Sequence, residues 1–396
     1  MTKREEVVVA GHICLDIIPK IKDCKKSLSS LLTPGKLIEI EPADICTGGV
    51  VANTGIALHR LGLHPRLMGK VGSDYFGSMV IDLLKEQNPN IVEDMIVAKE
   101  ESTSYTIVIS QPEFDRMLLH YSGTNDTFKA DDIQIECLEN AKLFHFGYPP
   151  LMSQMYKNNG RGLVELLSKV KKLGVTTSLD MAMPDSDSDS VDWIKFLQNV
   201  LPFVDIFLPS FEEIVYMLDP DLSKELRDNG LQEEVVLHSG VLKNISERLL
   251  AMGPAIVAIK LGEFGLYVRT ADKTKRFADL GTYTQITTEG WLNREILVSC
   301  YKVNVAGTIG AGDSTIAGFL TGFLKGLSIE ETVQSAVAVG ACCVEVADAT
   351  TGIPSWETIQ SRRSTGWSKV ELSLTDQWKY NDVQQVWLGV NDQFFM

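Results

Sequence analysis

Val303–Lys325 reads VNVAGTIGAGDSTIAGFLTGFLK, and the way this stretch is interpreted decides the fold. It opens as an apolar, strand-like run, crosses a glycine-dense turn at Gly307, Gly310 and Gly312, and continues from Asp313 as a helix. Ile316, Ala317, Phe319, Leu320, Phe323 and Leu324 recur at the three- and four-residue spacing of one buried helical face. Gly310-Ala311-Gly312 therefore falls where backbone N–H groups point out of a helix N-terminus, a natural place for an anion. Asp313 could simply cap that helix. Glycines, however, let a backbone approach a ligand closely, and an Asp beside an anion site can accept a proton from an incoming hydroxyl. The stretch reads as a phosphoryl-transfer site.

Working outward, apolar strands and amphipathic helices alternate through Lys142–Gly147, Leu163–Leu173, Val175–Asp180, Trp193–Leu201, Val204–Leu208, Phe211–Leu218, Val241–Met252 and Ala255–Leu261. That order predicts an α/β fold with a mainly parallel sheet and helices on both faces. Leu266–Val305 reads as an antiparallel, β-rich continuation with some insertion, and a second helix is expected at Ile329–Ala347. Near the N-terminus, Glu5–Gly11 reads as a buried first strand, with Asp16 close to its carboxyl end. Helices are expected over Asn53–Leu61 and Asp74–Leu84. Two separated β-like patches, Pro19–Cys46 and Thr103–Ile109 with Met117–Tyr121, predict a small sheet apart from the main one. From about Arg362 the chain is Trp-rich (Trp367, Trp378, Trp387), too aromatic for a disordered tail, and is expected to dock on the core or a partner.

At 396 residues the chain can bury a large core. Its 52 acidic and 37 basic residues leave a formal charge of -15, which argues against nucleic acid or an anionic membrane as the main partner. Any positive field for a phosphate ester must then be local, from helix ends and Mg²⁺. The N-terminal MTKREEVVVAGHICLD has too short an apolar run for a signal peptide, and no run approaches a membrane span. Seven cysteines without CxxC spacing, two of them adjacent at Cys342-Cys343, read as reduced thiols of a cytoplasmic protein. Six scattered histidines lack HExxH, so no dedicated zinc site is expected. The run PDSDSDSVD, with Asp185, Asp187, Asp189 and Asp192, lacks the Gly and the Glu of a calcium loop and reads as a solvated loop leading into the helix at Trp193.

Four constellations could carry chemistry. Gly310-Ala311-Gly312-Asp313 is neither a Walker A loop, since no Lys-Ser/Thr follows, nor a Rossmann fingerprint, whose third glycine would fall at Thr315. Thr47-Gly-Gly-Val-Val-Ala-Asn53 puts paired glycines and an amide side chain at a helix entrance, suited to hydroxyl-rich ligands or to a plain turn and N-cap. Lys260-Leu-Gly-Glu-Phe-Gly265 makes a glycine turn on which a nucleotide could lie, or a simple hairpin. Pro209-Ser-Phe-Glu-Glu213 places carboxylates that favour a helix N-terminus or hold Mg²⁺ through water.

Together these residues resemble the PfkB-type, ribokinase-like family of carbohydrate kinases. Gly48-Gly49, Asn53 and Leu61-Gly62 followed by Gly69, Gly72, Asp74 and Gly77 are similar to its N-terminal signature. Gly307-Thr-Ile-Gly310-Ala-Gly312-Asp313 with Ala317-Gly318-Phe319 is similar to its C-terminal one, and the resemblance runs from about Val7 to Pro354. It implies a ribokinase-like three-layer fold with a small β-sheet lid over the sugar, ATP and Mg²⁺ as cofactors, and a sugar or sugar-like alcohol as acceptor. The expected organisation is one kinase domain over 1–361, with lid segments at about 17–47 and 102–122, and a C-terminal extension over 362–396 packed on the core.

Carried over by position, Asp313 is the general base, and the N–H groups of Gly310, Ala311 and Gly312 form the anion hole. Asp16, Gly48, Gly49, Asn53 and Asn125 bind the sugar, Lys260, Gly262, Gly265 and Ser210 line the nucleotide, and Glu213 serves the metal. A homodimer through the lid also follows from the resemblance. The chain departs from the family at Ser210, where Asn is usual, at Val50, where a polar residue is usual, and at Asp180-Met-Ala-Met-Pro, which lacks the arginine expected for a keto-deoxy-sugar acid. The alternatives are a nucleoside or vitamin kinase of the same fold, or a non-catalytic sugar- or nucleotide-binding regulator.

Overall fold

The computed structural model describes residues 7–21, 34–35, 37–111, 114–184, 191–229, 234–238 and 240–395. Part of the first lid patch, and Asp185, Asp187 and Asp189 of the acidic run, lie outside the described residues. Asp192, which is described, caps the helix Trp193–Val200 by accepting from the Lys195 N–H at 2.9 Å.

Among the described residues sixteen strands run in chain order, beginning with β1 (Val7–Gly11), β2 (Cys14–Ile21), β3 (Ile40–Gly48), β4 (Pro65–Met68), β5 (Lys70–Gly72), β6 (Ile96–Ala98), β7 (Tyr105–Gln111) and β8 (Phe114–Tyr121). They continue as β9 (Leu143–Gly147), β10 (Thr176–Leu179), β11 (Ile206–Phe207), β12 (Ile256–Lys260), β13 (Leu266–Thr270), β14 (Glu295–Val298), β15 (Lys379–Asn381) and β16 (Val386–Leu388). The main sheet has the order β15-β16-β14-β13-β12-β11-β10-β9-β1-β4. From β4 to β12 every pairing is parallel; from β12 to β15 every pairing is antiparallel.

The parallel strands are buried on both faces, which explains their unbroken apolar runs such as VVVAG. Their pleat sorts the side chains. Val7 and Val9 join one core and Val8 and Ala10 the other. The first core holds the helices Val50–Arg60, Ala311–Leu324 and Ile329–Cys343; the second holds Ser153–Lys172, Trp193–Val200, Phe211–Leu218 and Val241–Met252. The result is a three-layer α/β molecule with a four-stranded lid sheet of order β3-β2-β7-β8. No described helix is long and apolar enough to cross a membrane.

The strand-like reading of the run at Val303 is corrected. Residues 302–309 form no strand, and Val305 is 63% exposed. The chain leaves the sheet with β14, so this alternation of apolar residues has no neighbouring strand to pair with. Of Leu266–Val305, the part up to Val298 is antiparallel as read, with the short helices Thr274–Ala278 and Thr288–Trp291 inserted between β13 and β14.

The C-terminal residues extend the sheet. β16 pairs with β14, and Trp378 meets Tyr267 edge-on at 6.1 Å between ring centres. Asp392, fully buried, accepts from Arg294 Nε at 2.7 Å and from the Glu295 N–H at 3.0 Å.

Candidate active site

The helix Ala311–Leu324 begins where Gly310 adopts φ 72°, ψ 2°, a left-handed conformation that a Cβ would strain. A Cβ there would also stand 2.5 Å from the Cβ of Ala349. At Gly312, by contrast, a Cβ would meet only the Lys260 side chain, at 3.7 Å. Asp313 is the third helical residue, and no side chain caps this helix, so the capping alternative for Asp313 does not hold. Of the three amides of the expected anion hole, that of Ala311 donates to the Thr308 carbonyl at 3.4 Å.

The Asp313 carboxyl, 3% exposed, turns toward the N-terminal part of the chain. Asn53 Nδ2 donates to its Oδ2 at 3.0 Å, Thr54 Oγ1 to its Oδ1 at 3.3 Å, and Tyr148 Oη reaches both oxygens at 2.9 Å. Burial raises the Asp313 pKa above the usual carboxylate range, against the lowering pull of Asn53, Lys260, Tyr148 and Thr54. Asn53 and Thr54 arrive on the helix Val50–Arg60, one end of which is set by Gly49. Gly48 and Gly49 have a packing reason: a Cβ would fall 2.2 Å from Asp16 Oδ2 at the first and 2.6 Å from His12 Nδ1 at the second.

The other expected site residues are placed as follows. Asp16 lies in β2 opposite Cys46 and beside Thr106, with Cys14 Sγ donating to it at 3.2 Å. Asn125 is fully buried and clasps the Ile13 backbone, accepting from its N–H at 3.2 Å and donating to its carbonyl at 2.9 Å. It therefore fastens the β1–β2 turn with both ends of its amide. Ser210 and Glu213 bond each other as a capping box for the helix Phe211–Leu218, the Ser210 N–H donating to Glu213 Oε2 at 2.7 Å. Gly262 and Gly265 turn the β12–β13 hairpin; a Cβ at Gly265 would fall 2.0 Å from the Val298 carbonyl, while Gly262 has nothing within 4 Å.

Lys260 ends β12, and its ammonium bonds Asp180 Oδ1 at 2.6 Å. Burial pulls the lysine's pKa down, but the carboxylates of Asp180, Glu213 and Asp313 outweigh it and keep the ammonium charged. Lys260 is thus a fixed positive charge beside Gly312 in an otherwise acidic neighbourhood. Tyr148, His12, Lys260 and Ser210 all follow or end β9, β1, β12 and β11, so the site occupies the carboxyl ends of the parallel strands. Across it, His12 and His120 bring their Nε2 atoms to 3.4 Å, linking the core to the lid strand β8.

Sequence reasoning missed Tyr148, Thr54 and Asp180 as members of this cluster. A signal existed for Tyr148, an aromatic residue between the end of a strand and Pro149-Pro150, where chain direction must change. Among the described residues no group of three or more His, Cys, Asp or Glu side chains is placed to hold a metal ion. A separate cavity of about 420 Å³, lined by Trp291, Arg294, Ser328 and Glu330 among others, shares no residue with the site.

Residues 4–356 match the profile of the pfkB family carbohydrate kinases. The chain is 27% identical over 299 residues to an uncharacterized sugar kinase of Archaeoglobus fulgidus, covering 76% of this chain and 98% of that one. It is 24% identical over 331 residues to 2-dehydro-3-deoxygluconokinase of Bacillus subtilis, covering 83% and 89%. The crystal structure of a ribokinase II candidate from E. coli, in complex with ATP and Mg²⁺, superposes with a TM-score of 0.68 at 18% identity over 91% of this chain and 99% of that one. With both glycine motifs on one site and nearly the whole chain matched, the protein belongs to the pfkB family of carbohydrate kinases, phosphotransferases with an alcohol as acceptor.

Proposed function

We propose that the chain transfers the γ-phosphoryl group of ATP to a hydroxyl of a sugar or sugar-like alcohol, with Asp313 as the general base. The observation that carries this reading is the Asp313 carboxyl in the first turn of an uncapped helix, held by Asn53 and Thr54 and flanked by the charged Lys260.

In the reaction the acceptor oxygen bonds to the γ-phosphorus as the bond to the ADP oxygen breaks, and Asp313 takes the acceptor's proton. The N–H groups of Gly310 and Gly312, joined by that of Ala311 when it leaves the Thr308 carbonyl, and the positive end of the helix face the charge carried by the transferred group. Lys260 adds a full charge from the β12 side. The acidic surroundings make that lysine necessary, because Asp180, Glu213 and Asp313 would otherwise repel a polyphosphate.

Asp16 and Asn53 are proposed to contact sugar hydroxyls, and the open side of Gly262 to lie against the nucleotide. Mg²⁺ binds with few protein carboxylates and keeps several waters, so Glu213, with the phosphates, is a sufficient donor set without a three-ligand cluster. When bound, the ion neutralises phosphate charge.

Coupled ADP release over fructose, ribose, aldonic acids, 2-keto-3-deoxy acids and adenosine tests the proposal. Acceptor-dependent release with one of the sugars or sugar acids supports it. Release with adenosine alone would replace it by a nucleoside kinase, and tight ligand binding without turnover by a regulator.

A further inference from the structure

Tyr148 is a non-glycine residue in the left-handed region, at φ 63° and ψ 39°, where bulky side chains are uncommon. It follows the last residue of β9 and is held from the other side by Pro149-Pro150, both buried. This unusual backbone puts the phenol oxygen 2.9 Å from each oxygen of Asp313. A hydroxyl donating to that carboxylate is what the kinase reading requires of the acceptor. The side chain of Asn53 adds a second sign, since its Oδ1 is buried without a hydrogen-bond partner while its Nδ2 donates to Asp313. A donor is therefore wanted beside the phenol.

We infer that Tyr148 is an internal stand-in for the acceptor: its phenol occupies the general base in the acceptor-free enzyme and yields to a substrate hydroxyl. The inference rests on the kinase reading above. Burial, with Asp313 and Asp180, holds the phenol's pKa well above its ordinary value, so it remains a donor at neutral pH.

The contact has a chemical consequence. Without an acceptor, water could attack: its oxygen would bond to the γ-phosphorus, the bond to ADP would break, and Asp313 would take the water proton, giving ADP and inorganic phosphate. A phenol seated on both carboxylate oxygens excludes that water. The acceptor in turn must displace the phenol, which weakens its apparent binding.

The test is Tyr148→Phe, which keeps the ring and removes only the hydroxyl. ADP release from ATP and Mg²⁺ alone is expected to rise about tenfold or more, while the acceptor KM falls. Unchanged or lower acceptor-free release, or kcat lost at constant KM, would overturn the inference and make Tyr148 a structural support. A second measurement avoids the variant. With 3-fluorotyrosine placed at position 148 of the full chain, the ¹⁹F resonance should shift on adding a saturating active acceptor and stay in place with ATP alone; no shift with acceptor overturns the inference. Should the wild-type chain turn over no acceptor, the proposed function fails, yet the acceptor-free arm still reports on Tyr148.

Discussion

In the proposed reaction Asp313 and Lys260 set the chemistry one side chain at a time. Asp313 must be ionised to accept a proton, and burial has raised its pKa, so turnover should fall as pH drops through a value above the usual carboxylate range. Thr54 donates to that carboxylate and favours its charged form. Thr54→Val should therefore move the acid limb of the kcat–pH profile upward, and a limb that stays in place or moves down would count against Asp313 as the titrating base. Lys260 has a different liability. Asp180 is 1% exposed and burial raises its pKa to about 8 even against the pull of Lys260, so removing the cation leaves a buried carboxyl without its partner. Lys260→Met should lose about 3–5 kcal/mol of stability in denaturant melts, with Lys260→Met/Asp180→Asn recovering much of it but not the turnover. Recovery of activity in the double variant would show that the lysine serves only the pair. The types of these residues were visible in the sequence. That Tyr148 joins them was not, because its arrival depends on a left-handed residue at the end of β9 and on a contact with a residue far along the chain.

Helices and turns are where glycine acquires two separate meanings. Gly310 serves the fold, since its φ of 72° and the closeness of Ala349 leave no place for a side chain. Gly312 has ordinary helical surroundings and space toward Lys260. Gly312→Ala should hold or raise the melting temperature, as Ala is the better helix former by about 1 kcal/mol, while turnover drops about 10²-fold because a methyl stands in the phosphate's approach. A variant as active as wild type would remove Gly312 from the anion hole. At this scale periodic elements were legible: Phe211–Leu218 and Val241–Met252 have the bounds expected from their apolar spacing. The helix Pro220–Asn229 was not, because half of its PDLSKELRDN is charged and it buries only Ser223 and Leu226. Val303 misled for the opposite reason: β-type alternation without a partner strand does not make a strand.

The whole molecule joins residues that the sequence keeps apart. Asn53 and Asp313 are neighbours because the helices Val50–Arg60 and Ala311–Leu324 pack against each other on one face of the sheet. The glycine motifs marked two helix starts, Gly49 before Val50–Arg60 and Gly310 before Ala311–Leu324, while the parallel core was legible from the alternation of apolar strands and amphipathic helices. The C-terminal residues were legible only as aromatic. Their role as strands of the main sheet depends on short segments, three residues each in β15 and β16, too brief to show a period. They also complete a buried network in which Asp392 bonds Arg294 and Asn391 Nδ2 donates to Glu295 Oε2 at 3.0 Å. Asp392→Ala should cost about 1–3 kcal/mol by leaving Arg294 Nε and the Glu295 N–H without their acceptor, while Glu330 still pairs the guanidinium, measured by urea unfolding; a cost below about 1 kcal/mol would make this segment an accessory.

The central claim, that two distant glycine motifs build one phosphoryl-transfer site around a single carboxyl, is tested most directly by Asp313→Asn. ADP release with an active acceptor should fall by roughly 10²–10⁴, with ATP affinity by titration calorimetry nearly unchanged. Turnover at the wild-type rate would contradict the claim.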